Sequence, residues 1–147
     1  MFLINREERE AAMLAWSSSK IKRVVGSTLA AKALSLQEAV FHAIFLRVFL
    51  AEILGKKEQE MAITSYVDSN NLFQAVHRTK FVEDTRLRMD IAQVQESIKK
   101  DALEVRWVEG GDMLADCLTK KGVNPNKLME VMEQGRLPRR EKMGVSW

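Results

Sequence analysis

Residues 26–40 read GSTLAAKALSLQEAV, and they begin the longest regular pattern in the chain. Ser27 and Thr28 are suited to cap the start of a helix, and Gly55 is suited to end it. Between these positions apolar side chains recur every three or four residues, the spacing of helix faces. They form two rows: Leu29, Ala33, Leu36, Val40, Ile44 and Val48, and Leu34, Phe41, Phe45, Phe49 and Ile53. We therefore predict a helix of about seven turns. Its apolar surface is wide, so we expect it to pack on more than one side.

A strand, two helices and a second strand follow the long helix. Residues 61–67 (MAITSYV) have the composition of a buried strand, and residues 103–108 (LEVRWV) alternate as a strand does. Helical periodicity covers residues 69–76 and 83–101 between them. Strands that alternate with helices are typical of an α/β layer, so we predict that the two strands pair in parallel.

Shorter elements are predicted towards both ends of the chain. Residues 1–4, 13–16 and 21–25 are short apolar or β-branched runs, and each suits a piece of strand. After two consecutive glycines, Asp112 is placed to cap a helix over residues 112–120. These elements add strands before the long helix and a helix after the last strand.

Charge is concentrated at the C-terminus. The 147 residues carry a net charge of +3, and residues 136–147 (RLPRREKMGVSW) hold four basic side chains and one acidic one, so the rest sums to zero. The overall charge therefore gives no argument for nucleic-acid binding, since only residues 136–147 carry an excess of positive charge. A last short helix over residues 126–134 precedes Gly135. We predict one domain over residues 1–135 and a basic, disordered tail over residues 136–147.

The chain has the features of an intracellular protein. Its single cysteine, Cys117, cannot form an internal disulfide framework or a cysteine zinc site. The N-terminus has only four apolar residues before it becomes polar and then charged, unlike a signal peptide. The most apolar stretch, residues 39–54, is interrupted by charged residues and by His42, and is shorter than the roughly 20 residues that span a bilayer. We expect a cytoplasmic or nuclear protein with no membrane segment, and we expect His42 to be a hydrogen-bonded core residue or half-buried.

Two aspartates follow the predicted parallel strands. Asp68 stands at the end of the first strand, and Asp116 lies on the helix after the second. Ligands gather at the carboxyl ends of parallel strands, where two carboxylates could hold a hard cation such as Mg²⁺. Alternatively, Asp68 caps the helix that follows it and Asp116 is an exposed helical residue. Spacing alone favours this second interpretation.

Four segments resemble a known family in composition and order. They are AWSSSKIKRVVGSTLAAKALSLQEAV (15–40), YVDSNNLFQAV (66–76), HRTKFVEDTRLRMDIAQVQESI (77–98) and LEVRWVEGGDMLADCLTKKG (103–122). The first resembles a family stretch with a W-S-x-K-x-x-x-V-x-x-S-T pattern, with one additional residue between Trp16 and Lys20 here, and the last contains an L-A-D-x-L-T-K motif. Together they resemble the C-terminal ribonuclease H region of copia-type retrotransposon polyproteins over about residues 14–137.

The resemblance implies a fold and a reaction. Family members are similar to cellular ribonucleases H, with a mixed five-stranded sheet flanked by helices, and they cleave the RNA strand of an RNA–DNA hybrid. Two Mg²⁺ ions, held by four carboxylates, activate the attacking water and stabilise the leaving oxygen. The ligands are an Asp on the first strand, a Glu in the long helix, an Asp after the fourth strand and the Asp of the L-A-D motif.

Only two of these carboxylates have counterparts here. Asp68 matches the third and Asp116 the fourth, so the resemblance makes them remnants of a metal site. Lys32 stands at the position of the helical Glu. The first strand, with its Asp, has no counterpart, so we expect an incomplete α/β sheet. The Lys32 ammonium, if it pairs with Asp68 or Asp116, would take the place of an ion.

The resemblance therefore predicts a degenerate, inactive ribonuclease H-like domain. Alternatives are a domesticated module that binds nucleic acid or protein, and a part of an active Pol polyprotein. Candidate contacts to nucleic acid are Lys20, Lys22, Arg23 and His77, the last in a loop before the third helix. Any binding of an RNA–DNA hybrid is expected to be weak. Unpaired strand edges of the incomplete sheet would favour self-association.

Overall fold

The computed structural model describes residues 1–5, 7–8, 10–77, 84–100 and 103–137. The elements are β1 (Phe2–Asn5), β2 (Glu10–Met13), α1 (Thr28–Leu54), β3 (Ile63–Val67), α2 (Asn70–His77), α3 (Thr85–Lys100), β4 (Leu103–Trp107), α4 (Asp116–Thr119) and α5 (Asn126–Gln134). Single 3₁₀ turns lie at Glu58–Glu60 and Gly110–Asp112. The chain forms two compact units: a central unit, residues 21–113, and a terminal unit, residues 1–20 with 114–147.

The long helix of the central unit is confirmed, with both of its predicted caps. Ser27 is extended, and its hydroxyl accepts a hydrogen bond from the Ala30 amide at 3.1 Å. This bond satisfies one of the free amides that every helix start leaves open. Gly55 ends α1 in the left-handed region at φ 61°, which favours glycine. One face of α1 is buried, through Ala30, Ala33, Leu36, Val40, Arg47 and Ala51.

The parallel pairing of the two central strands is also confirmed. Ile63 lies opposite Leu103 and Val67 lies opposite Trp107, with α2 and α3 forming the connection between β3 and β4. α1 packs against β3, α2 and α3. Buried side chains from all these elements form one core: Ala30, Ala33, Leu36, Val40, Val67, Leu72, Val76, Leu87, Ile91, Val94, Leu103 and Val105.

The terminal unit is a hairpin that packs with α5. β1 and β2 pair antiparallel, with Phe2 opposite Met13 and Asn5 opposite Glu10. Ala11 and Val131 are buried together with Leu137, and the Ala11 amide donates to the Gly135 carbonyl at 2.7 Å. The backbone of Arg136 forms an isolated antiparallel β-bridge with Glu10. Arg136 and Leu137 therefore belong to the packed unit rather than to the predicted tail. Residues 138–147 lie outside the described residues.

The predicted strand pieces at residues 13–16 and 21–25 are wrong. The partner of β1 is β2 at Glu10–Met13, because pairing in a short hairpin starts next to its turn. Residues 14–25 contain no strand, and Val24 in this stretch is 87% exposed. An isolated apolar run without a partner strand gains nothing from an extended ladder.

The helix predicted over residues 112–120 is shorter than expected. Asp112 lies in a 3₁₀ turn and caps no helix, since Met113 after it is extended. Only Asp116–Thr119 is helical. Gly110 and Gly111, the first two residues of this turn, weaken any helix that would start there.

The single mixed sheet of the expected fold is not found among the described residues. Their four strands form two separate two-stranded sheets, one antiparallel and one parallel. Each sheet belongs to its own unit. The chain is thus a mixed α/β protein whose described portion has five helices.

The length and apolar composition of α1 are relevant to the expectation that the chain has no membrane segment. It contains an 18-residue window with a mean hydropathy of 1.5, so its length and composition alone would allow it to cross a membrane. Both the core helix of a globular protein and a signal sequence pass the same test, and 28% of the window is buried against the rest of the chain.

Candidate functional site

Lys32 and Asp68 meet where β3 ends. Lys32 lies in the second turn of α1, and Asp68 is the residue directly after Val67, the last of β3. The Lys32 Nζ donates to Asp68 Oδ1 at 3.0 Å. Their side chains are 39% and 22% exposed. This is the carboxyl end of a parallel strand, where α/β sheets place their ligands.

Several backbone contacts hold Asp68 at this end of the strand. The Trp107 indole Nε1 donates to the Asp68 carbonyl at 3.3 Å, and the Val108 amide donates to the Val67 carbonyl at 2.9 Å. On the other side, the Ser69 hydroxyl accepts from the Leu72 amide at 3.3 Å. Ser69 thus provides the side-chain cap at the start of α2, the role that one interpretation of the sequence gave to Asp68.

The Lys32–Asp68 ion pair is local and partly hydrated. Two unit charges about 4 Å apart attract by roughly 4 kcal/mol at an effective dielectric near 20. Because both side chains are partly exposed, solvent reduces the net stabilisation to about 1 kcal/mol or less. The pair therefore contributes little to stability. Its main consequence is electrostatic, because the charges of Lys32 and Asp68 cancel at a position where a bound cation would need a negative charge.

Asp116 has its own lysine in the terminal unit. The Lys120 Nζ lies 2.7 Å from Asp116 Oδ2, one helical turn along the chain, and the Asp116 side chain is 15% exposed. The neighbouring Cys117 is half-buried, and its Sγ lies 3.3 Å from the Leu114 carbonyl oxygen. Both aspartates that the sequence analysis identified, Asp68 and Asp116, are therefore paired with the ammonium group of a lysine.

The residues around Asp68 do not fit a centre of two Mg²⁺ ions. Such a centre needs several anionic oxygens to hold two dications close together. Here one carboxylate is paired with an ammonium. In the part of the chain that the structure describes, no group of three or more His, Cys, Asp or Glu side chains is arranged to hold a metal.

The predicted nucleic-acid contacts have different surroundings. Lys20 and Lys22 are exposed. Arg23 instead makes a two-pronged contact with Asp90 of α3, in which its Nη1 lies 3.3 Å from Oδ1. This hydrogen bonding raises the pKa of Arg23 above its ordinary value. His77 is the last residue of α2 and not part of a loop, with its ring 4.3 Å from that of Phe73.

The Arg23–Asp90 pair was missed at the level of sequence. The Asp90 side chain is only 5% exposed, and the residue lies on the buried face of α3 with Leu87, Ile91 and Val94. Their spacing of three, one and three residues places all four on one side of a helix. A carboxylate within an apolar row requires a partner, because an unpaired buried charge is costly. That spacing is the signal that would have pointed to it.

Comparisons with known proteins give no relative: no protein-family model, no curated protein and no solved structure matches the chain.

Proposed function

We propose that the chain is a ribonuclease H-like domain of copia-type retrotransposon origin that no longer cleaves RNA–DNA hybrids. The observation that carries the proposal is the ion pair of Lys32 and Asp68 at the carboxyl end of β3. In the family, the position of Lys32 belongs to a metal-binding Glu. A lysine there replaces a metal-binding carboxylate with a positively charged side chain. Its ammonium group also pairs with the Asp68 carboxylate that a metal ion would bind.

The fold around the pair supports the proposal. A long helix packs on the first of two parallel strands, and Asp68 follows that strand directly. This arrangement agrees with the order of helix, strand and carboxylate that the family motifs imply. The family's first-strand Asp has no counterpart in this sequence, and its single mixed sheet is not found among the described residues.

The loss of activity follows from charge. Two-metal hydrolysis depends on dications that generate the nucleophile and stabilise the leaving oxygen. An ammonium at 3.0 Å from Asp68 opposes a dication at the same oxygen. An upstream segment could restore a strand and an Asp, but it could not remove Lys32.

A hybrid-cleavage assay tests the proposal. The unmodified chain, Lys32→Glu and Asp68→Asn are each incubated with a labelled RNA–DNA hybrid in Mg²⁺ and in Mn²⁺, after circular dichroism has confirmed folding. We expect no cleavage by the unmodified chain above the level of Asp68→Asn. Cleavage by the unmodified chain that Asp68→Asn abolishes would contradict the proposal.

Binding is measured separately, with the same hybrid at rising salt. The domesticated-module alternative predicts a complex that weakens steeply with salt, because phosphate contacts release counterions. Since Arg23 is engaged by Asp90, we expect Lys20→Ala with Lys22→Ala to remove most of any such binding. Tight binding without cleavage would favour the module over a relic.

A further inference from the structure

The side of α1 that faces away from the core is strongly apolar. The exposed fractions are 60% for Phe41, 69% for Phe45, 41% for Val48, 52% for Phe49 and 62% for Ile53. Steps of four, three, one and four residues place these side chains on one side of the helix. The buried residues Leu36, Val40 and Ala51 lie on the other side. We call the five exposed residues the outer face of α1.

The area of the outer face matches one half of a protein interface. Three phenylalanines, a valine and an isoleucine at these exposures present about 600 Å² of surface, given that an aromatic side chain offers roughly 200 Å². This equals the upper end for the largest apolar patch of a typical monomer, about 300–600 Å². Two such faces together bury about 1,200 Å², the lower limit of a specific interface.

The charges at the two ends of the outer face are complementary under a two-fold axis. Suppose that two copies of α1 pack antiparallel, with Phe45 of each copy on Phe49 of the other. The same symmetry then places Glu38 opposite Lys56, a pair of opposite charges that occurs twice, and it places His42 opposite Glu52. All four of these side chains are exposed. A two-fold axis that placed Phe45 of one copy on Phe45 of the other would instead set Glu38 against Glu52. The repulsion between these two negative charges disfavours that register.

A groove beside the outer face offers further space. It lies between α1 and α3 and has a volume of about 490 Å³; Leu34, Phe41 and Met89 line it on its apolar side, and the remaining lining residues are polar or charged. The antiparallel arrangement sets Ile53 of the second copy opposite Phe41, at the edge of this groove. This contact would remove the apolar surface of Ile53 from water, and the two-fold symmetry would repeat the contact on the other copy.

We propose that a second copy of this chain covers the outer face of α1, forming an antiparallel two-fold dimer with Phe45 on Phe49. This surface is distinct from the strand edges of the sheet. It also accounts for the width of the apolar surface of α1, which the fold of one copy uses only in part.

Sedimentation equilibrium of the full chain tests the dimer. We expect a reversible dimer that Phe45→Glu with Phe49→Glu converts to a monomer of unchanged circular dichroism. The matched control is Met129→Glu on α5, another apolar residue that is 51% exposed, and it should leave the dimer intact. A monomeric unmodified chain, or a dimer that persists in the double variant, would overturn the proposal. Persistence would place the contact elsewhere, for example at a strand edge.

A charge exchange tests the register without touching the apolar residues. Glu38→Lys alone and Lys56→Glu alone should each weaken dimerisation roughly tenfold, because each creates two like-charge contacts. The double variant Glu38→Lys/Lys56→Glu should restore it. Failure of the double variant to recover would overturn the antiparallel register. An unmodified chain that stays monomeric and binds phosphatidylcholine vesicles through Phe45 and Phe49 would assign the face to a membrane instead.

Discussion

Leu72→Ala is expected to lower the free energy of unfolding of the central unit by about 3 to 4 kcal/mol. Leu72 lies in α2 and is 2% exposed, among the largest fully buried side chains of the described residues. α2 has only eight residues, and its buried residues are Leu72 and Val76. Truncating one of these two removes transfer free energy and leaves a cavity that so short a helix cannot close without moving.

Urea denaturation followed by circular dichroism measures this loss. Met89→Ala on α3 is the matched control, because Met89 is 60% exposed, and its effect should stay within about 0.5 kcal/mol. The consequence reaches the candidate site, since α2 begins directly after Asp68 and Ser69. A loss below about 1 kcal/mol for Leu72→Ala would mean that α2 is not anchored as described.

Arg23→Met should destabilise the central unit, but less than Leu72→Ala does, because the Arg23 side chain is 37% exposed and solvent screens the pair. The Asp90 carboxylate is 5% exposed and is paired with the Arg23 guanidinium. Removing Arg23 leaves the nearly buried Asp90 carboxylate without its guanidinium partner, which costs more than the pair contributes when intact. The expected result is a clear fall in the urea midpoint.

Arg86→Met provides the control for Arg23→Met. Arg86 is exposed and lines the same groove between α1 and α3, so its loss should change stability little. If Arg23 instead served only as a contact to nucleic acid, Arg23→Met would leave the urea midpoint unchanged. The two variants therefore separate a structural role from the predicted binding role.

Local signals in the sequence predicted the central unit well. The caps at Ser27 and Gly55 and the apolar spacing between them defined α1, because capping and helix periodicity depend on neighbouring residues only. The parallel pairing of β3 and β4 followed from the alternation of strands and helices. These features need no knowledge of distant contacts.

Long-range pairing was harder to predict. The second strand of the terminal hairpin lies at Glu10–Met13 and not at residues 13–16, because an apolar run resembles a strand whether or not a partner faces it. The contact between Arg23 and Asp90 joins residues 67 positions apart, and no local pattern encodes such a distance. The exposure of His42, expected to be a core or half-buried residue, likewise depends on which side of α1 the rest of the chain covers.

The pair at the candidate site was anticipated only as one of two alternatives. The motif around Lys32 suggested that its ammonium would meet Asp68 or Asp116, and the structure contains the contact to Asp68. Asp116 pairs with Lys120, which a spacing of four residues on a helix would have allowed one to predict.

The central claim is that Lys32 takes the place of a cation at Asp68. Its most direct test is paramagnetic line broadening of backbone amide resonances by Mn²⁺, comparing the unmodified chain with Lys32→Glu. Lys99→Glu, at an exposed lysine of α3, controls for the change in net charge. We predict broadening of the Asp68 and Ser69 resonances in Lys32→Glu at Mn²⁺ concentrations that leave the unmodified chain and Lys99→Glu unaffected. Equal broadening in the unmodified chain and Lys32→Glu, or none in either, would contradict the account.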